Sequence, residues 1–225
     1  HKLIDFDYFT WKKKFKLIEK NIRVVTPSKW LAEKAKKSFI MSKCKIEVIP
    51  TPISSKIYKI HLRKIKIEKI PRDKFIVLFS AKYLNERRKG FEYFQKLTKI
   101  INKLYPNKVH FVTMGKYNNK ILDIFPENTS HFGLIDDQKT IVNVYNSCHL
   151  IFILSKKDNL PQVALEANMC GLPIISFKVG GIEEMIQSDL NGHTIKQINY
   201  NEIKMALEKY INLRDYRELK WRIRK

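Results

Sequence analysis

Glycine is absent from the first 89 residues, and only seven occur in the 225. With only eight prolines, all at the edges of apolar segments, that scarcity excludes a fibrous or collagen-like chain. Cysteine is rarer still. Cys44, Cys148 and Cys170 stand too far apart for a CxxC pair or a metal quartet and read as reduced thiols of a cytosolic protein. The six histidines include no HxxxH or HxH pair, so no metal site is expected. The longest apolar runs, such as 75–79 and 150–154, fall far short of the roughly 20 residues that span a bilayer. The chain opens at His1 and Lys2 with neither an initiator Met nor an uninterrupted apolar signal segment, which reads as truncation at this end.

Acidic residues are few: 22 against 44 basic ones, a formal charge of +22. A basic nucleic-acid-binding module meets that electrostatic criterion. Against it, 35 of the 44 cations are Lys, and abundant Ile and Asn point to genome composition bias rather than selected phosphate contacts. No aromatic strand pair or Cys and His finger is present, so no specific nucleic acid is expected as a partner. The hydrophobic content of 44% suffices for a buried core and excludes a disordered chain.

Glycine position divides the chain, and so does charge. Residues 1–70 carry 19 basic and 6 acidic side chains, whereas 71–225 carry 25 and 16. In the first part, 11–20 has helical apolar spacing at Trp11, Phe15 and Ile18; its lysines suit an anionic membrane surface, and the same apolar residues suit packing on a domain surface equally well. Short strands are expected at 22–25 and 46–49, with Ser28 capping a helix between them. After a connector rich in Lys and Ile at 54–70, strands at 75–79, 109–114, 150–154 and 174–177 alternate with helices at 91–104, 136–147, 161–170 and 200–213. Residues 182–187 continue the alternation. Continuous apolar strands separated by helices predict an α/β fold, a doubly wound parallel sheet covered on both faces. Ligands in such sheets bind beyond the carboxyl ends of the strands.

Two of the loops placed there carry chemistry. One runs from Ser155 to a helix beginning at Pro161, and brings Asp158 and Glu166 toward one pocket because helical side chains lean back toward the N-terminus. The amides at that helix start favour an anion by about 0.3 to 1 kcal/mol. Hydroxyls beside the carboxylates and a phosphate beside the amides describe a nucleotide sugar. The other loop ends Arg87-Arg88-Lys89-Gly90, where Gly90 permits a tight turn and Lys89 can reach a diphosphate.

These phrases resemble the family-four retaining glycosyltransferases of the two-Rossmann-domain (GT-B) architecture. The match is carried by Val24-Val25-Thr26-Pro27-Ser28-Lys29-Trp30-Leu31 with Ile46-Glu47-Val48-Ile49-Pro50, by Arg88-Lys89-Gly90-Phe91, and by Asp158-Asn159-Leu160-Pro161 running through Glu166-Ala167 to Cys170-Gly171-Leu172-Pro173. Val179-Gly180-Gly181-Ile182 and Asn191-Gly192 follow at the family's spacing.

The resemblance implies that residues 1–54 are the tail of an N-terminal acceptor domain with its linker, that 55–213 form the nucleotide-sugar donor-binding domain, and that 214–225 add a C-terminal helix. It implies Lys89 and Asp158 as the catalytic pair, Lys89 on the donor phosphates with Arg88 as helper and Asp158 on the donor sugar. It places Glu166 on the ribose, amides of Asn159, Leu160 and Gln162 around Pro161 on phosphate and sugar, and Leu134 and Ile135 beside the base. No metal or cofactor is implied, because the nucleotide sugar is a substrate. The resemblance implies a glycan or lipid-linked acceptor; a cytoplasmic setting is expected, with the inner membrane face a candidate partner surface only through the basic stretch 11–20, and these residues alone are expected to bind donor without transferring sugar. Two positions depart from the family pattern: Asp158 stands where Glu is usual, and Ala81 lies where an Arg is usual, with Lys82 and Arg87 the nearby cations. The Asp form with Asn-Leu-Pro resembles transferases of surface polysaccharide assembly.

Overall fold

The computed structural model describes residues 6–18, 22–61, 66–117, 125–188, 190–196, 199–213 and 216–224. Residues 19 and 20 of the helix expected at 11–20, 62–65 of the connector, and 214, 215 and 225 of the C-terminal helix lie outside them. The chain divides into two compact units, His1–Thr51 and Pro52–Lys225.

The first unit contains helix α1 (Phe6–Leu17), strand β1 (Arg23–Thr26), helix α2 (Lys29–Lys36) and strand β2 (Lys45–Val48). The strands pair in parallel with Val24 opposite Ile46, and α2 makes the crossover between them. Ser28 caps α2 as its sequence position predicts, its hydroxyl accepting from the Leu31 amide at 3.1 Å. On α1, Trp11 stacks on Phe15 and on Phe39, and Lys43 Nζ lies 4.1 Å from the Phe15 ring centre.

The second unit is built on six strands: β3 (Phe75–Tyr83), β4 (Val109–Lys116), β5 (Thr129–His131), β6 (Leu150–Ile153), β7 (Ile174–Phe177) and β8 (Gly192–Ile195). All neighbours pair in parallel, in the order β5-β4-β3-β6-β7-β8. Between them run α3 (Phe91–Leu104), α4 (Gln138–Ser147) and α5 (Gln162–Met169), and after β8 follow α6 (Tyr200–Ile211) and α7 (Tyr216–Arg224). Alternation along the strands sorts the core onto two faces. Val77 and Phe79 of β3 join Phe94 and Leu97 of α3, Leu207 of α6 and Leu219 of α7. Ile76 and Leu78 point the other way, to Tyr145 of α4, Ala164 and Ala167 of α5 and the connector residues Tyr58 and Ile70. Every residue of β6 and β7 is buried, as a strand covered on both faces requires.

The structure corrects several element boundaries. Pro161 is the cap of α5 rather than its first helical residue, and 182–187 contains only a single 3-10 turn, Ile182–Glu184. Helix α6 ends at Ile211 instead of Leu213. Strands β5 and β8 were not expected at all: Thr-Ser-His and Gly-His-Thr-Ile carry neither a continuous apolar run nor regular alternation, and they form the two edges of the sheet. Strand β3 runs four residues past Phe79 because it irregularly re-registers against β4 between Ser80 and Tyr83.

The strand order positions the site. From β3 the chain moves outward through β4 to β5, then returns to β6 on the other side of β3. Strand β3 leads on to α3, packed on one face of the sheet, and β6 to α5, packed on the other, which leaves a crevice at this reversal point.

Candidate active site

The loops leaving β3 and β6 are locked together beside the crevice. After β3, Leu84 is buried and a 3-10 turn, Arg87–Lys89, leads to Gly90 at φ +76°. A side chain at Gly90 would place its Cβ 1.9 Å from the Leu154 carbonyl oxygen, so only glycine allows the two loops to approach this closely. The Lys156 amide donates to the Arg88 carbonyl at 2.8 Å. A third loop, after β7, backs the second: the Gly181 amide donates to the Asn159 carbonyl at 2.6 Å.

This framework brings two sequence-distant charges together. Lys89 Nζ donates to Asp158 Oδ2 at 2.6 Å, and the side chains are 18% and 12% exposed. Such shielding separates this pair from an exposed ion pair of little worth. The same oxygen accepts from the Ser155 hydroxyl at 3.3 Å, while Oδ1 accepts from the Asn159 amide at 3.0 Å. Arg88 reaches Asp158 only at 3.8 Å and is paired instead with Glu86.

Glu166, on α5, is held by two residues that sequence reasoning missed. Tyr58 donates its hydroxyl to Oε1 at 3.1 Å and Tyr145 donates to Oε2 at 2.8 Å. Burial, followed by the adjacent Glu166 charge, pushes the Tyr58 hydroxyl up to about 12 and the Tyr145 hydroxyl well above its ordinary value. Both therefore remain donors across the neutral range. Tyr145 carried a usable signal, since a tyrosine on the apolar stripe of a helix needs a buried partner for its hydroxyl. Tyr58 lies in an irregular connector and carried none.

A cavity of about 590 Å³ opens between these groups. Arg88, Lys89, Asp158, Leu160, Pro161, Gln162, Glu166, Leu134 and Ile135 all line it. Asn159 does not, because its amide is turned to Asp158 and its carbonyl to Gly181. Ala81 and Lys82 both border the cavity, although simple strand alternation sends neighbouring side chains to opposite faces. The irregular register of β3 at this point accounts for that. Met114, Leu134, Ile135 and Ile141 supply apolar lining to the same cavity. Among the described residues no group of three or more His, Cys, Asp or Glu side chains could hold a metal ion, and no helix is long and apolar enough to cross a membrane.

The profile of the family described as "Glycosyl transferases group 1" matches residues 62–224. The chain belongs to this family. An uncharacterized glycosyltransferase of Haemophilus influenzae is 30% identical to this family member over 132 residues, covering 55% of the chain and 36% of that protein. Among solved structures, a glycosyltransferase from Rickettsia africae superposes with a TM-score of 0.72 at 16% identity, covering 96% of the chain and 60% of the other. Anabaena HepE, solved in complex with UDP and glucose, superposes with a TM-score of 0.67 at 16% identity, covering 89% of the chain and 57% of the other. The chain thus spans less than two thirds of each of these proteins. The six-stranded parallel sheet is the Rossmann-like domain of the GT-B fold.

Proposed function

We propose that this chain supplies the donor-binding half of a retaining glycosyltransferase, which moves a sugar from a nucleoside diphosphate onto a glycan or lipid-linked acceptor. The observation that carries the reading is the Lys89–Asp158 pair and the Glu166 carboxylate on one cavity at the reversal point of the sheet. The UDP and glucose held by the similarly folded HepE support the ligand class.

In this reading the diphosphate lies between Lys89 and the N-terminal end of α5. An ammonium group has three donors, so Lys89 can keep Asp158 and still contact a phosphate oxygen. As the bond from sugar to phosphate breaks, negative charge grows on the leaving diphosphate, and a fixed cation beside it lowers the barrier. Asp158 accepts hydroxyl hydrogens of the sugar, and its hold on Lys89 fixes the ammonium before donor arrives. Glu166 accepts ribose hydroxyls, while the base lies against Leu134 and Ile135. The acceptor domain, to which residues 1–54 contribute their tail, closes over the donor and excludes water, so the 225 residues alone bind donor without transferring it.

Calorimetric titration of UDP and GDP into the chain tests the reading. Lys89→Ala removes a charge-assisted contact worth about 1.5 to 3 kcal/mol, so affinity for the bound nucleotide is expected to fall roughly ten- to a hundredfold. Undiminished affinity in a folded Lys89→Ala variant would refute the phosphate role. Sugar transfer by these residues alone would refute the half-enzyme reading.

A further inference from the structure

We propose that Tyr58 and Tyr145 form a two-hydroxyl clamp that turns Glu166 into a receptor for a vicinal diol, the 2′- and 3′-hydroxyls of the donor ribose. The proposal rests on the donor-site reading above and adds to it two positioning residues and a selectivity. A carboxylate offers about four acceptor sites, two on each oxygen. Tyr58 takes one site on Oε1 and Tyr145 takes one on Oε2. One site per oxygen is left, a pattern that a pair of neighbouring hydroxyls fills and a single hydroxyl does not.

The clamp also fixes where those sites point. The terminal torsion of a free Glu side chain is broad, so its carboxylate plane is poorly defined. Here two donors from different parts of the chain hold opposite oxygens, and both are buried, Tyr145 at 1% exposure and Tyr58 at 7%. Their mutual placement is fixed by the residue after Tyr145. The Asn146 side chain accepts from the His61 amide at 2.8 Å and donates to the Lys59 carbonyl at 2.9 Å, which sews the Tyr58 segment onto α4. The raised hydroxyl pKa values keep both clamps protonated throughout the range in which nucleotides are handled.

The test compares UDP with 2′-deoxy-UDP by calorimetry on the 225-residue chain, on Tyr58→Phe, Tyr145→Phe and the double variant, and on Glu166→Ala. The unaltered chain is expected to prefer UDP by about tenfold or more, because a site built around a hydroxyl rejects the analogue that lacks it. Each Tyr→Phe change is expected to shrink that ratio, and the double variant to bring it below about threefold while 2′-deoxy-UDP affinity stays within about twofold. On the Glu166→Ala background the tyrosine changes are expected to alter nothing further, the signature of residues acting through one carboxylate. A double variant with an unchanged ratio would overturn the clamp. If Tyr145→Phe does not fold, Tyr58→Phe carries the same comparison, since it vacates the more accessible of the two positions. Glu166→Ala with the full ratio intact would overturn the ribose assignment itself, and the clamp with it.

Discussion

At the level of single residues, shielding separates the cations of the crevice. Lys89 is mostly enclosed and bound to Asp158, whereas Lys82 is exposed at the rim and has no ion pair among the described residues. An enclosed contact is screened little by salt, while an exposed one fades once charges are separated by more than the roughly 8 Å screening length at physiological ionic strength. Lys82→Ala is therefore expected to weaken nucleotide binding only about twofold to fivefold at low salt and to lose that effect near 0.5 M salt. Lys89→Ala should keep most of its effect there. Titration at two salt concentrations checks both, and a salt-resistant Lys82 effect as large as that of Lys89 would contradict the division of roles. Both residues stand out in the sequence, as does Asp158. What the sequence could not convey is that Asp158 holds Lys89 directly, because that contact depends on how tightly Gly90 lets two loops approach.

At the level of elements, the buried strands were legible because their residues are almost wholly apolar, without interruption in β6 and broken only by Ser176 in β7. Strand β5 was hidden for the opposite reason: Thr129, Ser130 and His131 are polar, and their place in the sheet depends on partners 18 to 20 positions earlier. His110 shares a hydrogen bond with Ser130 at 2.8 Å, and His131 shares one with Thr113 at 2.9 Å. Burial, as the leading cause, holds both imidazoles below their ordinary value, with Lys69 adding to the effect at His131. A folded-state pKa depressed below the unfolded value of about 6.5 contributes stability that is complete above that pH and is lost as pH falls through the folded value. Thermal midpoints measured from pH 7.5 downward should therefore begin to drop near pH 6.5. His110→Gln with His131→Gln is expected to flatten that part of the curve, and an unchanged slope would show that the β4–β5 edge is not its source.

At the level of the whole molecule, the +22 charge was the most conspicuous number in the sequence and the least informative about function. Net charge bears on solubility and non-specific attraction rather than on fold. Strand order was more telling, since a parallel sheet whose strand order reverses between β3 and β6 opens a crevice where the loops with Lys89 and Asp158 emerge. Doubly wound architecture could be read from the alternation of elements, and the family from motif phrases in their order. The tyrosine clamp could not, because Tyr58 lies 108 positions from Glu166 and only the packed connector brings them together. The most direct test of the account is a crystal structure of this chain with UDP bound. The expected result is a diphosphate within hydrogen-bonding distance of Lys89 Nζ, ribose hydroxyls on Glu166 and the base against Leu134 and Ile135; a nucleotide bound elsewhere, or bound with its ribose turned away from Glu166, would contradict it.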